Sequence, residues 1–420
     1  MMNFTAKILF IILLFASTIS FAQNNSERRC GSNEYLKRCI SKDSSIAIKI
    51  KNIEENIQKQ INNNIYNQKS TESAVYTIPV VVHVVYNNDA QNISDEQILT
   101  QIDVINEDYN RANTDKANTP TLFSSVAASF GIKFCLAQID PSGNATTGIT
   151  RTYTTVTEWQ LDDSVKSSKT RGADSWPSNK YLNIWVCNLF GDLGYSTFPG
   201  GNSTVDGVVI RYNAFGRTGN VAYPYNKGRT LTHELGHWLN LIHIWGDDAS
   251  GSCQGTDFVD DTPAQSGPNY GCPAFPHSSC GNTSDMYTNF MDYTNDECMN
   301  IFTNGQKQRA LFVLKNLRSS LTTSNKCTVG IDNIENTSSQ FKILPNPLTG
   351  DILTVQLNGS NPGNINVMVL NSLGQIQLIK NYQNYAEKKI SLNINDLSQG
   401  LFLIKISTDK TAYTGKFIKL

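Results

Sequence analysis

The chain lacks an excess of either charge, with 35 basic residues against 36 acidic ones in a length of 420. Such a balance gives no sign of a nucleic-acid partner. Past the N-terminus there is no apolar run long enough to cross a bilayer as a helix, which takes about 20 residues. No transmembrane segment is therefore expected once the leader is gone. Histidine is scarce at five residues, yet three of them fall within HELGHWLNLIH, residues 233 to 243. Cysteine is better represented, with nine residues. An odd count leaves at least one thiol unpaired within the chain.

The first residues read MMNFTAKILFIILLFASTISFAQ, with Lys7 ahead of an uncharged run from Ile8 to Phe15 and small residues around Ala22. Residues 1–22 read as a secretory signal peptide, because the run is too short for a span. All nine cysteines follow it, and export permits disulfides. Residues 23–72 hold RRCGSNEYLKRC and then a polar helix striped by Ile46, Ile50, Ile53, Ile57, Ile61 and Ile65. A single apolar stripe needs a surface to lie on. This region reads as a pro-segment resting on the next domain, with a solvated coiled-coil arm as the alternative.

The main domain is expected over 73–328. It opens with TIPVVVHVVYN, a buried-strand pattern in which His83 reads as a core residue. Ser94 and Gln97 predict a capping box for a helix with Ile98, Ile102, Ile105 and Tyr109 on one face. Further strands are expected at GIKFCLA, YLNIWVCNL and DGVVIRY, and a last helix from Thr303 with Gln306 as its box partner. Between the histidine helix and that last helix runs a long Cys-, Gly- and Pro-rich loop. Strands and helices mix without regular alternation, which points to α+β. A linker is expected at 329–340, with a turn at Leu373-Gly374 among the short strands of a β-sandwich module over 341–420.

On a helix, His233 and His237 lie one turn apart on one face, about 5.4 Å along the axis, and both can reach one zinc ion. Glu234 stands beside the first of them. His243 cannot join them if the helix continues, because six more residues carry it round to another face. The chain must leave the helix, most economically through one left-handed residue. Asn240 is the residue next most tolerant of that conformation after glycine.

HExxHxx(G/N)xxH resembles the zinc motif of the metzincin metalloproteases, and NFMDYTNDECMNIFTNGQ, from Asn289, resembles their Met-turn. Together with HELGHWLNLIHIWGD, these segments resemble the pappalysin family, of the cytophagalysin and ulilysin type, over roughly Tyr76 to Cys327. The resemblance implies a metzincin-like catalytic domain with a mixed twisted sheet and an active-site helix. It implies His233, His237 and His243 as zinc ligands, Glu234 as general base, Tyr293 as a hydrogen-bond donor to the developing oxyanion, and Met291 as the floor beneath the metal. It also implies disulfides Cys253–Cys280 and Cys272–Cys298, although spacing alone leaves three pairings open. Cys135 and Cys187 are expected to pair with each other or to be buried apolar residues.

In CQGTDFVDDTP, Asp257 and Thr262 match calcium-binding positions of the family, with a carbonyl near Asp260; a solvated acidic turn is the alternative. Glu297 matches an acid that favours Arg or Lys after the scissile bond, and a surface glutamate beside a disulfide is the alternative. Cys30 matches a pro-segment cysteine that occupies the zinc in the latent precursor until cleavage near residues 66–75; a Cys30–Cys39 disulfide is the alternative. The C-terminal segments FKILPNPLTGD, LNSLGQ, DLSQGLFLIKI and GKFIKL resemble the type IX secretion sorting domain. That implies a partner in the type IX machinery and passage through the periplasm to the outer surface or the medium. The expected function is a secreted zinc endopeptidase acting on proteins or peptides and made as a zymogen. The rival is a surface binding or adhesion protein on a protease-like scaffold.

Overall fold

The computed structural model describes residues 28–62, 75–248, 250–327, 341–357, 363–371, 375–408 and 412–420. The signal peptide read at 1–22, the linker at 329–340, the Leu373-Gly374 turn, Ile65 and all but residue 75 of the expected cleavage region lie outside these residues.

Among the described residues, two helices, α1 (Ser32–Lys42) and α2 (Ser45–Asn62), precede the first strand. The isoleucine stripe of α2 does find a surface. Ile53 and Ile57 join the main hydrophobic core, and Ile61 packs against it. Burying each such side chain contributes on the order of 1.5–3 kcal/mol, enough to hold a polar helix that has little stability alone.

The central sheet is built on β1 (Tyr76–Tyr86), whose Val80, Val82 and Val84 are fully buried. One edge of β1 pairs in parallel with β2 (Ile132–Leu136) and then with β3 (Ile149–Tyr153). The other edge pairs with β4 (Leu182–Cys187), which leads through parallel β6 (Val208–Arg211) to antiparallel β5 (Gly194–Ser196) at the margin. His83 bonds Thr150 Oγ1 at 2.9 Å and Asn183 Oδ1 at 3.0 Å, and burial pushes its pKa down to about 4, so it is a core residue.

Helix α3 (Asp95–Tyr109) and the single turn α4 (Thr121–Ser124) precede β2; α5 (Arg229–Trp238), α6 (Asn304–Asn316) and α7 (Ser319–Thr322) follow β6. The two expected capping boxes differ. At α6 both reciprocal bonds between Thr303 and Gln306 form. At α3 the Ser94 hydroxyl caps Gln97 N, but the Gln97 amide instead donates to Phe215 O and accepts from Asn220 N. Anchoring the 212–220 loop is the stronger demand on that buried side chain.

The short C-terminal strands expected from the sequence form, seven among the described residues. The sheet β10–β9–β12–β13 comprises Ile376–Tyr385, Gly363–Asn371, Gly400–Thr408 and Ala412–Lys419. The sheet β11–β8–β7 comprises Lys389–Asn393, Ile352–Leu357 and Phe341–Leu344. Leu353, Val355 and Ile390 from one sheet share a core with Val367, Ile404 and Phe417 from the other, which makes the module a sandwich.

Candidate metal centre

Helix α5 carries His233 and His237 on its inner face, and the chain then turns out of the helix at Asn240, whose φ is +66°. The left-handed bend is therefore at the residue the spacing predicts. Leu241 N returns to Gly236 O at 2.8 Å, and His243 swings back beside the other two. The three Nε2 atoms lie 3.2, 3.2 and 3.0 Å apart. Each Nδ1 faces an oxygen: Phe290 O at 2.7 Å, Leu241 O at 2.9 Å and Asp247 Oδ1 at 2.5 Å. Those bonds put the ring proton on Nδ1 and leave three bare lone pairs pointing at one another. Burial also pushes the pKa of His233 well down and that of His237 to about 3, so neither of these two relieves the crowding by protonation. A cation does. Tetrahedral zinc with bonds of about 2.0–2.1 Å holds its nitrogens roughly 3.3 Å apart, close to the spacing seen.

A fourth donor is present. Cys30 Sγ joins the histidines, and all four donor atoms lie within 4.8 Å of one another. Burial, with the Glu234 carboxylate second, raises the Cys30 thiol well above its ordinary pKa, so a thiolate there needs a cation beside it. Cys39 is a separate free thiol, which removes the Cys30–Cys39 disulfide. Cys30 is delivered by backbone pairing with the margin of the sheet: it bridges Gly194 in parallel, Gly31 N donates to Gly194 O at 2.9 Å, and Leu193 N donates to Arg29 O at 2.9 Å.

Glu234 is buried, and burial raises its carboxyl pKa against the lowering effect of its hydrogen bonds. Ser32 Oγ donates to its Oε2 at 2.7 Å and accepts from Ser196 N at 2.9 Å, while Ser196 Oγ donates to the Glu234 carbonyl. The Tyr293 ring centre is 4.9 Å from that of His243 and 5.8 Å from that of His233. Met291 is fully buried beneath the helix. A Cβ placed on Gly236 would meet Met291 Sδ at 2.3 Å, so the helix approaches the Met-turn closely only because residue 236 is glycine.

Two residues before Cys30, Arg28 enters a pocket. It pairs with Asp296, its Nε donates to Thr294 O at 3.2 Å, and its guanidinium lies 4.9 Å from the Tyr225 ring centre. Both charged side chains are essentially unexposed, and Asp296 Oδ2 also accepts from Lys227 N at 2.8 Å and Arg229 N at 3.2 Å. Glu297, the acid the sequence nominates for a basic pocket, instead lies exposed with Tyr223 Oη at 3.3 Å. Its neighbour Asp296 is the buried acid of this turn.

Asp257 and Thr262 do meet. The Thr262 hydroxyl lies 3.0 and 2.9 Å from the two Asp257 carboxylate oxygens and 2.9 Å from Val259 O. One hydroxyl proton cannot serve three acceptors. Burial pushes the Asp257 carboxyl up to about 7, so its ionised form needs compensation. The carbonyl that faces them, near Asp260, is that of Val259.

The disulfides Cys253–Cys280 and Cys272–Cys298 form as implied. Cys135 pairs with Cys327 across 192 residues, and Cys187 is buried and free, so the pairing of Cys135 with Cys187 is corrected. Sequence reading missed Ser32, Ser196, Asp247, Arg28, Asp296 and Gly236. Only Gly236 carried a local signal, since a glycine inside a helix costs about 1 kcal/mol and asks for a packing reason.

Comparison with known proteins agrees with this geometry. Residues 165–315 match the family described as pregnancy-associated plasma protein-A, and residues 342–420 match the secretion system C-terminal sorting domain. An extracellular metalloprotease of Arthroderma benhamiae is 32% identical over 261 residues, covering 60% of this chain and 76% of that protein. One from Pyricularia oryzae is 30% identical over 312 residues, covering 71% and 93%. Among solved structures, Tannerella forsythia mature mirolysin in complex with a cleaved peptide is 52% identical with a TM-score of 0.58, covering 60% of this chain and 97% of that one. A promirolysin variant from the same organism is 47% identical with a TM-score of 0.62, covering 70% and 97%.

Proposed function

Since the chain belongs to the pappalysin family of metzincin metalloendopeptidases, we propose that it is made as a latent precursor whose segment before β1 blocks the site in three places at once. The protein is a secreted metalloprotease whose sorting domain assigns it to type IX export. Its family implies zinc as the metal and peptides as substrates.

His233, His237 and His243 would hold the zinc through Nε2. When bound, the ion would polarise the scissile carbonyl and acidify a water molecule. Glu234 accepts a proton at Oε2 and returns it to the leaving amine. The Tyr293 hydroxyl donates to the developing oxyanion. In the precursor the Cys30 sulfur would be a fourth donor to the zinc, Ser32 covers Oε2 of Glu234, and Arg28 fills the pocket based on Asp296. That pocket, released, suits Arg or Lys after the scissile bond, with Asp296 as the paired carboxylate. Asp257, Thr262 and the Val259 carbonyl suit a calcium ion, which answers the surplus of acceptors among them.

The observation that carries latency is the convergence of Cys30 Sγ on three histidine nitrogens. X-ray absorption of the zinc-loaded precursor tests it. One sulfur and three nitrogen neighbours are expected, with the sulfur lost in Cys30→Ala and peptidase activity appearing in the uncleaved chain. A precursor with only light-atom neighbours, equally latent with and without Cys30, overturns it.

A further inference from the structure

Tyr35, on α1, is only 3% exposed although it belongs to the segment that maturation removes. Its hydroxyl donates to Asp163 Oδ1 at 2.5 Å, and Lys166 Nζ donates back to the same hydroxyl at 3.4 Å. The Tyr35 ring packs against Tyr195 with centres 4.8 Å apart. The Lys166 ammonium lies over three rings, 4.7 Å from Tyr35, 4.9 Å from Tyr195 and 5.5 Å from Trp185.

This cluster is separate from the metal centre. Gly194 and Ser196 face Glu234, since a Cβ on Gly194 would meet Glu234 Cγ at 2.9 Å and Ser196 Oγ bonds Glu234. Tyr195 lies between them on a strand, so it points to the opposite face of the sheet. Apart from Tyr35 and Cys39 of α1, the walls of the cluster belong to the body of the domain: Asp163, Lys166, Trp185, Tyr195 and Thr197. Lys166 is anchored independently of Tyr35 through Val205 O at 2.9 Å and Asp163 Oδ1 at 3.2 Å. Asp163 keeps 35% of its side chain exposed, so the cluster opens to solvent at that edge.

We propose that the mature enzyme carries, on the sheet face opposite its active-site helix, a socket selective for a tyrosine side chain, which Tyr35 fills in the precursor. The inference rests on the reading that the segment before β1 is removed. A carboxylate acceptor, an aromatic wall and an ammonium over the ring face match a phenol in all three respects. Phenylalanine fits the wall but offers Asp163 no hydroxyl donor and Lys166 no hydroxyl acceptor, so the socket discriminates by hydrogen bonding. The tyrosine comes from the released pro-segment or from a substrate, and both present the same phenol.

The test uses enzyme matured from the folded precursor and fluorescently labelled peptides spanning residues 28–42 with Cys30→Ala, which removes metal ligation from the readout. Binding is read by anisotropy. Tyr35→Phe is expected to weaken it roughly ten- to hundredfold, the loss of a hydrogen bond to a charged group. In enzyme carrying Asp163→Asn the ratio between the Tyr and Phe peptides should shrink towards one, and because it is a ratio within one enzyme, general loss of affinity cancels. A cleavage library supplies the second arm. Tyrosine enrichment among cleaved peptides, lost in Asp163→Asn, identifies substrate as the source, and enrichment absent there with peptide binding intact identifies the pro-segment. Equal binding of the Tyr35 and Tyr35→Phe peptides to wild-type enzyme that still cleaves an arginine reporter overturns the socket and leaves the protease reading standing.

Discussion

Glu54 of α2 and Arg309 of α6 form a two-pronged ion pair, with oxygen–nitrogen distances of 2.8 and 2.7 Å. The Arg309 side chain is unexposed, and its Nη2 also donates to the Asn240 carbonyl at 3.3 Å. One guanidinium thus ties the helix before β1 to the bend that delivers His243. Glu54→Ala should leave Arg309 buried without its carboxylate and destabilise the docking of α2 by roughly 2–5 kcal/mol. Limited proteolysis should then cut the precursor ahead of β1 faster than in wild type. An unchanged cutting rate shows that the isoleucine stripe alone holds α2 down.

Glu234→Ala should keep the zinc content of the mature enzyme near one ion per chain, because the histidines and their Nδ1 partners are untouched. Peptide hydrolysis should fall by about 10²-fold or more, the scale of a lost general base. Metal analysis and kcat on one preparation check this. Near-normal kcat with full zinc assigns the proton transfer to another group.

Asn240→Gly and Asn240→Val should separate cleanly. Glycine accepts a φ of +66° without strain, while a β-branched side chain resists it. The valine variant should lose about 1–2 kcal/mol or more at the bend and bind zinc more weakly in competition with a chelator. Matching zinc affinities in the two variants move the bend elsewhere.

Asp296→Asn and Glu297→Gln test neighbouring acids against one substrate pair. Cleavage before Arg relative to cleavage before Leu should drop at least tenfold for Asp296→Asn, which loses a buried charge partner. It should change little for Glu297→Gln, because exposed pairs contribute about 0–1 kcal/mol. The opposite ranking restores Glu297 to the pocket.

Local spacing made part of this protein legible. Two histidines four apart share a helix face, a third six further on requires a left-handed break, and Asn240 is the residue that can supply it. The apolar runs of β1, β2, β4 and β6 and the short strands of the C-terminal module were readable for the same reason, since strand and helix periods are written residue by residue. What only tertiary structure decided depends on segments distant in sequence. Cys135 meets Cys327 rather than Cys187 because β2 lies beside the chain after α7, not beside β4. Ser32 reaches Glu234 across 202 residues, and Arg28 reaches Asp296 across 268, because the segment before β1 pairs with the β5 margin. Asp296 and Glu297 carry the same charge and stand side by side, so composition could not rank them. Only burial tells them apart, and burial is a property of the packed fold.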